Sequence, residues 1–262
     1  MNLLALPLSP SSSLLRLGAL ALALGVSSIG CASEVDTTES TDDAYTASNA
    51  VEIAKLKTQI KNISRANMTR TDNFSDVEDD LRPLIAKLVK LTKNPSRAQK
   101  LNLLEGNWHQ LWSNLTNPIP GFLDSDLTEI YQVVSKDGYY YNYGGTKAFK
   151  ILNTTAVLRG KYTIDRNDDF SIEFTRSGFL FKKLDENDDL LKWTREIEAG
   201  DRNLFSTGSG KAPNGPVGIT GKLTTIYVDK DLRIAGGEQT PFKVDGEVKV
   251  PGKTGLLFVL ER

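Results

Sequence analysis

The stretch Leu103-Leu104-Glu105-Gly106-Asn107-Trp108-His109-Gln110-Leu111-Trp112-Ser113 divides the chain into two parts with different sequence patterns. Before it, apolar residues recur at three- and four-residue steps, which is typical of amphipathic helices. After it come short segments rich in β-branched and aromatic residues and separated by turn formers, which is typical of antiparallel strands. We therefore expect helices over residues 49–104 and a β-sheet over residues 106–262.

The β part holds many short strands, and no helical run is expected between them. In the clearest case Phe170, Ile172 and Phe174 share one face and polar residues occupy the other. A sheet that closes with its apolar face inward forms a barrel, and two such sheets form a sandwich. The fold class is therefore α+β, mainly β. The predicted strands are residues 128–134, 139–143, 147–152, 156–164, 170–175, 179–184, 217–228, 232–235 and 256–260.

Two amphipathic helices are predicted before the sheet, with a further helical turn at residues 97–104. The apolar pattern of the first helix starts at Val51, and that of the second starts at Val77. Ser75 and Glu78 have the spacing of a capping box at the start of the second helix. Pro95 is expected to end it.

Residues 1–32 are predicted to be a cleaved signal or targeting segment. Their apolar run, residues 17–26, is too short to span a bilayer, which takes about 20 apolar residues. Ser28-Ile29-Gly30-Cys31 resembles a bacterial lipoprotein box, so lipidation of Cys31 is favoured. Ordinary signal cleavage near Ala32 and a plastid transit peptide remain open. The acidic, Ser/Thr-rich residues 33–48 are predicted to be a disordered linker.

The composition argues against several functional classes. The chain has 32 Lys+Arg against 33 Asp+Glu with the signs interspersed, so a nucleic-acid partner is not expected. One cysteine permits no internal disulfide. His109 is the only histidine and is one residue from Trp108, so on a strand it points away from the barrel interior. We therefore expect no catalytic residue, no metal site and no cofactor.

Two motifs resemble the plastid lipid-associated protein (fibrillin) family. The first is Leu104-Glu105-Gly106-Asn107-Trp108 with its flanking residues, and the second is residues 225–234 followed by residues 257–260. Gly-x-Trp at the first strand is also the lipocalin signature. The resemblance implies a lipocalin-like barrel over residues 49–262 in which Gly106 and Trp108 close one end. It also implies that Arg233 lies over the indole of Trp108.

The resemblance further implies a non-catalytic protein that binds, shields or transports a lipophilic molecule, namely a quinone, a carotenoid or an acyl lipid. The expected partners are that molecule or a membrane lipid, and a membrane surface. The expected location is the thylakoid or plastoglobule of a plastid, or a cyanobacterial membrane that carries it as an exported lipoprotein. The alternative is a structural coat or tether of lipid bodies or thylakoids with no specific ligand. The large aromatic residues expected to line the pocket are Trp112, Tyr162, Phe174 and Phe181.

Residues 139–143 contain a tyrosine cluster. Alternation places Tyr139, Tyr141 and Tyr143 on one face of a strand and Tyr140 on the other. Cross-strand aromatic packing explains such a cluster, and anchoring at a membrane interface is the second hypothesis.

Overall fold

Eight antiparallel strands form a closed ring, and helices cover much of its outer surface. The computed structural model describes residues 40–69, 74–115, 129–148, 152–166, 168–208, 217–239, 242–244, 247–249 and 255–262. Those from Asp42 onward belong to one compact unit. The helices are α1 (Ser40–Ala66), α2 (Phe74–Leu91), α3 (Arg97–Leu104) and α4 (Leu190–Ala199). The strands are β1 (Gly106–Ser113), β2 (Ile130–Ser135), β3 (Tyr139–Ala148), β4 (Leu152–Ile164), β5 (Phe170–Leu180), β6 (Phe205–Gly208), β7 (Thr220–Val228), β8 (Leu232–Gln239), β9 (Phe242–Val244), β10 (Glu247–Lys249) and β11 (Leu256–Glu261).

The ring runs β4-β3-β2-β1-β11-β8-β7-β5 and closes because β5 also pairs with β4. The short strand β6 adds to the last part of β5, and β9 and β10 form a separate hairpin. Closure leaves few unpaired strand edges and gives the sheet a distinct interior. The predicted fold class, an α+β, mainly β, lipocalin-like barrel preceded by two or three helices, is confirmed, and three helices precede it.

Helices α1 and α2 pack on the outer face of β1, β8 and β11. Leu56 and Ile60 from α1 and Leu81 and Leu88 from α2 are buried there. Two ion pairs hold α1 at the ends of the strands: Lys57 Nζ is 2.5 Å from the Asp229 carboxylate, and Lys61 Nζ is 3.2 Å from that of Glu261. The apolar faces of these helices are therefore buried against the sheet.

Helix α4 covers the outer face of β2, β3 and β4. The side chain of Asp189 accepts a hydrogen bond from the backbone of Lys192, which caps the start of the helix. Gly200, with φ of +84°, ends it. Our expectation that no helix interrupts the strands is wrong here. The signal was present in Leu190, Trp193 and Ile197, which lie on one helical face and are buried against the sheet.

The contacts beneath α4 explain the tyrosine cluster. Tyr141 and Tyr143 are fully buried on the outer face, and their rings stack at 5.6 Å. The Tyr143 hydroxyl is 2.9 Å from the hydroxyl of Thr194 on α4. Tyr140 faces the interior, so the predicted alternation is confirmed. Because α4 covers Tyr141 and Tyr143, the hypothesis that they anchor the protein in a membrane is wrong.

One carboxylate fastens α4 to the sheet. Glu198 accepts two hydrogen bonds from Arg159, at 2.5 and 2.7 Å, and another from the hydroxyl of Tyr141. Burial raises the pKa of Glu198, but these donors outweigh burial and keep its pKa below the ordinary value for a glutamate. The bidentate pair therefore stays ionised at neutral pH.

Several local predictions differ from the structure. Helix α2 begins at Phe74, so Ser75 lies inside it and the predicted capping box with Glu78 is wrong. The capping box is formed instead by Ser96 and Gln99 at α3. Helix α1 begins at Ser40, within the predicted linker. Cys31, the predicted signal segment 1–32 and the rest of that linker lie outside the described residues.

Trp108 closes the end of the barrel that meets α3. Its side chain is completely buried, and its Nε1 donates a hydrogen bond to the carbonyl oxygen of Leu104 at 2.8 Å. Gly106 has φ of +134°, and a Cβ there would lie 3.1 Å from Nη2 of Arg262. A side chain at Gly106 is therefore disfavoured both by backbone strain and by the neighbouring guanidinium group.

The guanidinium group over the indole belongs to Arg262. Its Cζ lies 4.3 Å from the ring centroid, and its Nη2 donates to the carbonyl oxygens of Leu103 and Glu105. The prediction that Arg233 takes this position is therefore wrong. Register explains the difference, because β11 runs beside β1 and delivers the residue after Glu261 to the level of Trp108.

Replacing Arg262 with alanine is expected to lower the free energy of unfolding by about 1 to 3 kcal/mol, from the lost cation–π contact and the charged hydrogen bonds. Urea denaturation of the variant and the wild type measures the difference. Lys230→Ala, an exposed cation at the same end of the barrel, is the control. Equal losses for the two variants would contradict a sealing role for Arg262.

Candidate functional site: the barrel interior

Strand register defines which side chains face the inside of the barrel. Residues directly opposite each other in antiparallel strands point to the same face. Trp108 lies opposite Gln132, Gln132 opposite Asn142, and Asn142 opposite Leu158. Continuing this alternation around the ring gives the other interior residues: Gly106, Gln110, Ile130, Val134, Tyr140, Gly144, Ala156, Gly160, Tyr162, Ile164, Phe170, Ile172, Phe174, Gly221, Leu223, Thr225, Val228, Arg233, Ala235, Gly237, Leu256, Phe258 and Leu260.

Side-chain exposure rises along the barrel axis. Three successive interior residues of β11 show this, because Leu260 near Trp108 is 0% exposed while Phe258 and Leu256 are each 7% exposed. On β5, Phe170 is 2% exposed and Phe174 is partly exposed. The interior is therefore filled at the Trp108 end and becomes accessible toward the opposite end, which we call the mouth.

Gly144 marks open space on the inner wall. A Cβ added there would meet no heavy atom within 4 Å, apart from its chain neighbours. Its cross-strand partner on β4 is Ala156, another small residue. By contrast, a Cβ at Gly160, two pairs closer to the closed end, would lie 2.8 Å from Ile172. The space beside Gly144 therefore belongs to the mouth half of the barrel.

A polar layer lies between the filled end and the open half. Arg233 is 1% exposed, and its Nη1 donates to Oε1 of Gln132 at 3.2 Å. Burial lowers the pKa of Arg233. Burial also raises the pKa of Tyr140, although the nearby Arg233 opposes that shift. A buried cation next to a buried hydroxyl is an unusual pairing for an otherwise apolar interior.

Of the four predicted pocket residues, the structure brings two to the interior. The ring of Tyr162 lies 4.7 Å from Phe170, and burial raises the pKa of Tyr162 to about 12. The ring of Phe174 lies 6.4 Å from that of Tyr140, nearer the open space. Tyr162 is at the closed end, where its hydroxyl donates to the carbonyl oxygen of Ser135.

The other two predicted pocket residues lie outside. Trp112 packs beneath α1 and α2, because the register shifts between Gln110 and Trp112 and turns the indole to the outer face. Phe181 is 55% exposed on the surface beside Phe205. The prediction that Trp112 and Phe181 line the pocket is therefore wrong.

The sequence pattern did not single out Gln132, Tyr140 and Gly144 as pocket residues. The alternation that correctly divided the tyrosines also places Tyr140, Asn142 and Gly144 on one face, so their position on the inner wall could have been predicted. Nothing in the sequence shows that Gly144 faces empty space, because that depends on how large the opposite side chains are.

An outer groove of about 580 Å³ runs beside the first two strands. His109 lies there, stacked on Tyr131 at 4.8 Å, so its predicted outward orientation is confirmed. The groove is rich in carboxylates, and most pair within the fold: Glu105 with Lys136, and Asp188 with Lys182. In the part of the chain that the structure describes, no three histidine, cysteine or carboxylate side chains are grouped to hold a metal ion.

The helices were compared with the length and apolarity that a membrane span requires. Within the described ranges, no helix has an apolar stretch long enough to cross a bilayer.

Comparison with known proteins agrees with the architecture. The family model of the PAP/fibrillin proteins matches residues 52–244, which is most of the chain and runs from within α1 through the barrel strands β1 to β8 to the end of β9. No curated protein sequence matches the chain. The chain therefore belongs to the plastid lipid-associated protein (fibrillin) family.

Proposed function

We propose that this protein is a non-catalytic binder or carrier of a lipophilic molecule, which it holds in the mouth half of its barrel. The observation that carries the proposal is the open space beside Gly144, whose cross-strand neighbours Ile130 and Ala156 are apolar. Small-molecule pockets are mostly apolar with few polar groups, and they are commonly found in the mouths of β-barrels. Membership of a lipid-associated plastid family supports the same class of ligand.

We also propose that the protein has no enzymatic activity. The only histidine is on the outer face, stacked on Tyr131, which gives the cavity no imidazole base. We propose a thylakoid, a plastoglobule or a cyanobacterial membrane as the location, with the acyl anchor on Cys31 as one means of reaching it.

Filling the space is expected to abolish binding without harming the fold. Gly144→Leu adds a side chain where no atom is in contact, so we expect the affinity for the neutral lipophilic dye N-phenyl-1-naphthylamine to fall at least tenfold. The melting temperature should change by only a few degrees. Fluorescence titration and thermal unfolding measure the two quantities.

The matched control is Glu173→Leu, which places the same side chain on the exposed outer face of β5. It should bind the dye as the wild type does. Dye binding that is the same in Gly144→Leu and the wild type would place the ligand elsewhere.

The alternative, a coat that contacts lipid through its amphipathic helices, is less well supported. The apolar faces of α1 and α2 are buried against the barrel. An exposed aromatic pair lies instead at the mouth: Phe181 and Phe205 are 55% and 56% exposed, with ring centroids 4.6 Å apart. Exposed Lys183 follows two residues after Phe181. Exposed rings beside a lysine are suited to an anionic lipid surface.

A double substitution tests which surface meets the membrane. Phe181→Ser with Phe205→Ser is expected to reduce co-sedimentation with vesicles containing anionic lipid by several-fold, because the exposed apolar area at the mouth is lost. Val51→Ser with Val89→Ser, which removes exposed apolar residues of α1 and α2, is expected to have little effect. The reverse result would favour the helical coat.

A further inference from the structure

We infer that the cavity selects a single-chain lipophilic carboxylate, with the carboxylate bound to Arg233 and the chain extending toward the mouth. This inference rests on the proposed function and goes beyond it by naming the chemistry of the ligand's polar end. It starts from Arg233, the most deeply buried cation described in the structure.

No described residue supplies a counter-charge to Arg233. Among the described residues no carboxylate pairs with its guanidinium group, and its one hydrogen bond goes to the neutral amide of Gln132. Its Nε is buried and has no partner among them. Buried charges are normally paired, since removing a charge from water is costly. An anionic ligand would supply the missing charge.

Neighbouring polar groups complete a site for a head group. Gln110 and Asn142 face the interior at this layer of the barrel, and neither is fully buried. Tyr140 also faces the interior, and the charge of Arg233 acts on its hydroxyl. A guanidinium group with amide and hydroxyl donors beside it matches a carboxylate, which accepts two parallel hydrogen bonds from arginine.

The charge favours a carboxylate over a phosphate. One guanidinium group balances the single charge of a carboxylate, whereas a phosphate monoester carries −1.5 to −2 at neutral pH. No second cation is among the interior residues identified by register. A phosphate would therefore leave part of its charge unbalanced.

The wall above Arg233 leaves room for an acyl chain. The room lies along β3, where Gly144 is two residues from Asn142, and Asn142 pairs with Gln132, the hydrogen-bond partner of Arg233. A Cβ at Gly144 would meet no heavy atom within 4 Å, whereas one at Gly237 of β8 would lie 2.8 Å from Leu223. Two residues of strand span about 7 Å, so a chain held at Arg233 reaches the open space on this side of the barrel. Phe174 and Phe258 provide apolar contacts on the way.

A purely structural role for Arg233 explains less. The cation that seals Trp108 is Arg262, so the closed end does not require a second one. A structural arginine would also be expected to use its Nε, which has no partner among the described residues.

The test compares two fluorescent probes that differ only at the polar end: cis-parinaric acid and the corresponding alcohol. The full-length wild type is expected to bind the acid at least tenfold more tightly than the alcohol at neutral pH. Arg233→Met should reduce affinity for the acid at least tenfold and leave affinity for the alcohol within twofold. Its melting temperature should be unchanged or higher, because an uncompensated buried charge is removed. Arg166→Met, which removes an exposed arginine from the turn before β5, is the control and should bind both probes as the wild type does.

Equal affinity of the wild type for acid and alcohol would overturn the inference, as would an unchanged acid-to-alcohol ratio in Arg233→Met. If Arg233→Met does not fold, the comparison in the wild type still decides. Binding of the neutral dye with no preference for the acid would leave the proposed function standing and remove only the inference. Failure of all three probes to bind would remove both.

Discussion

The burial of one indole at the closed end of the sheet is the constraint on which the barrel depends. Trp108 occupies the axis where α3 delivers the chain to β1, and its ring nitrogen is satisfied by the last turn of that helix. Arg262 then clamps the junction from the other end of the chain, over the ring and onto two backbone carbonyls. Strands β1 and β11, the first and last strands in the chain, are neighbours in the ring, so this contact fastens the two ends of the barrel's sequence to each other.

Because one end of the barrel is sealed, the two ends of the interior differ. Side chains near Trp108 fill the space, a polar layer around Arg233 follows, and the mouth half is lined by smaller or partly exposed residues. The helices contribute from outside, because α1, α2 and α4 cover outward-facing apolar residues that would otherwise meet water. A charged residue on a strand usually points outward because the outer face meets water. The outer face of β8 is covered by helices, so an outward arginine at position 233 would also be buried.

Much of the fold could be predicted from sequence, because residue periodicity changes sharply at Gly106 and the strand alternation is regular. The site was harder to predict for identifiable reasons. A shift of register after Gln110 turns Trp112 outward, although strict alternation would place it beside Trp108. The partner of the indole follows from the pairing of β11 with β1, which no local pattern reveals. Phe181 follows the last residue of β5, where alternation no longer determines direction.

Native mass spectrometry of the full chain, purified under mild conditions from the cells that produce it, tests most directly whether the barrel holds a ligand. A ligand site with a defined polar end and a chain-shaped cavity predicts one dominant adduct at a ratio of one per chain, with the mass of a single-chain acid. A protein that carries no adduct, or only a substoichiometric mixture resembling the bulk membrane lipids, would contradict a specific lipid-binding barrel.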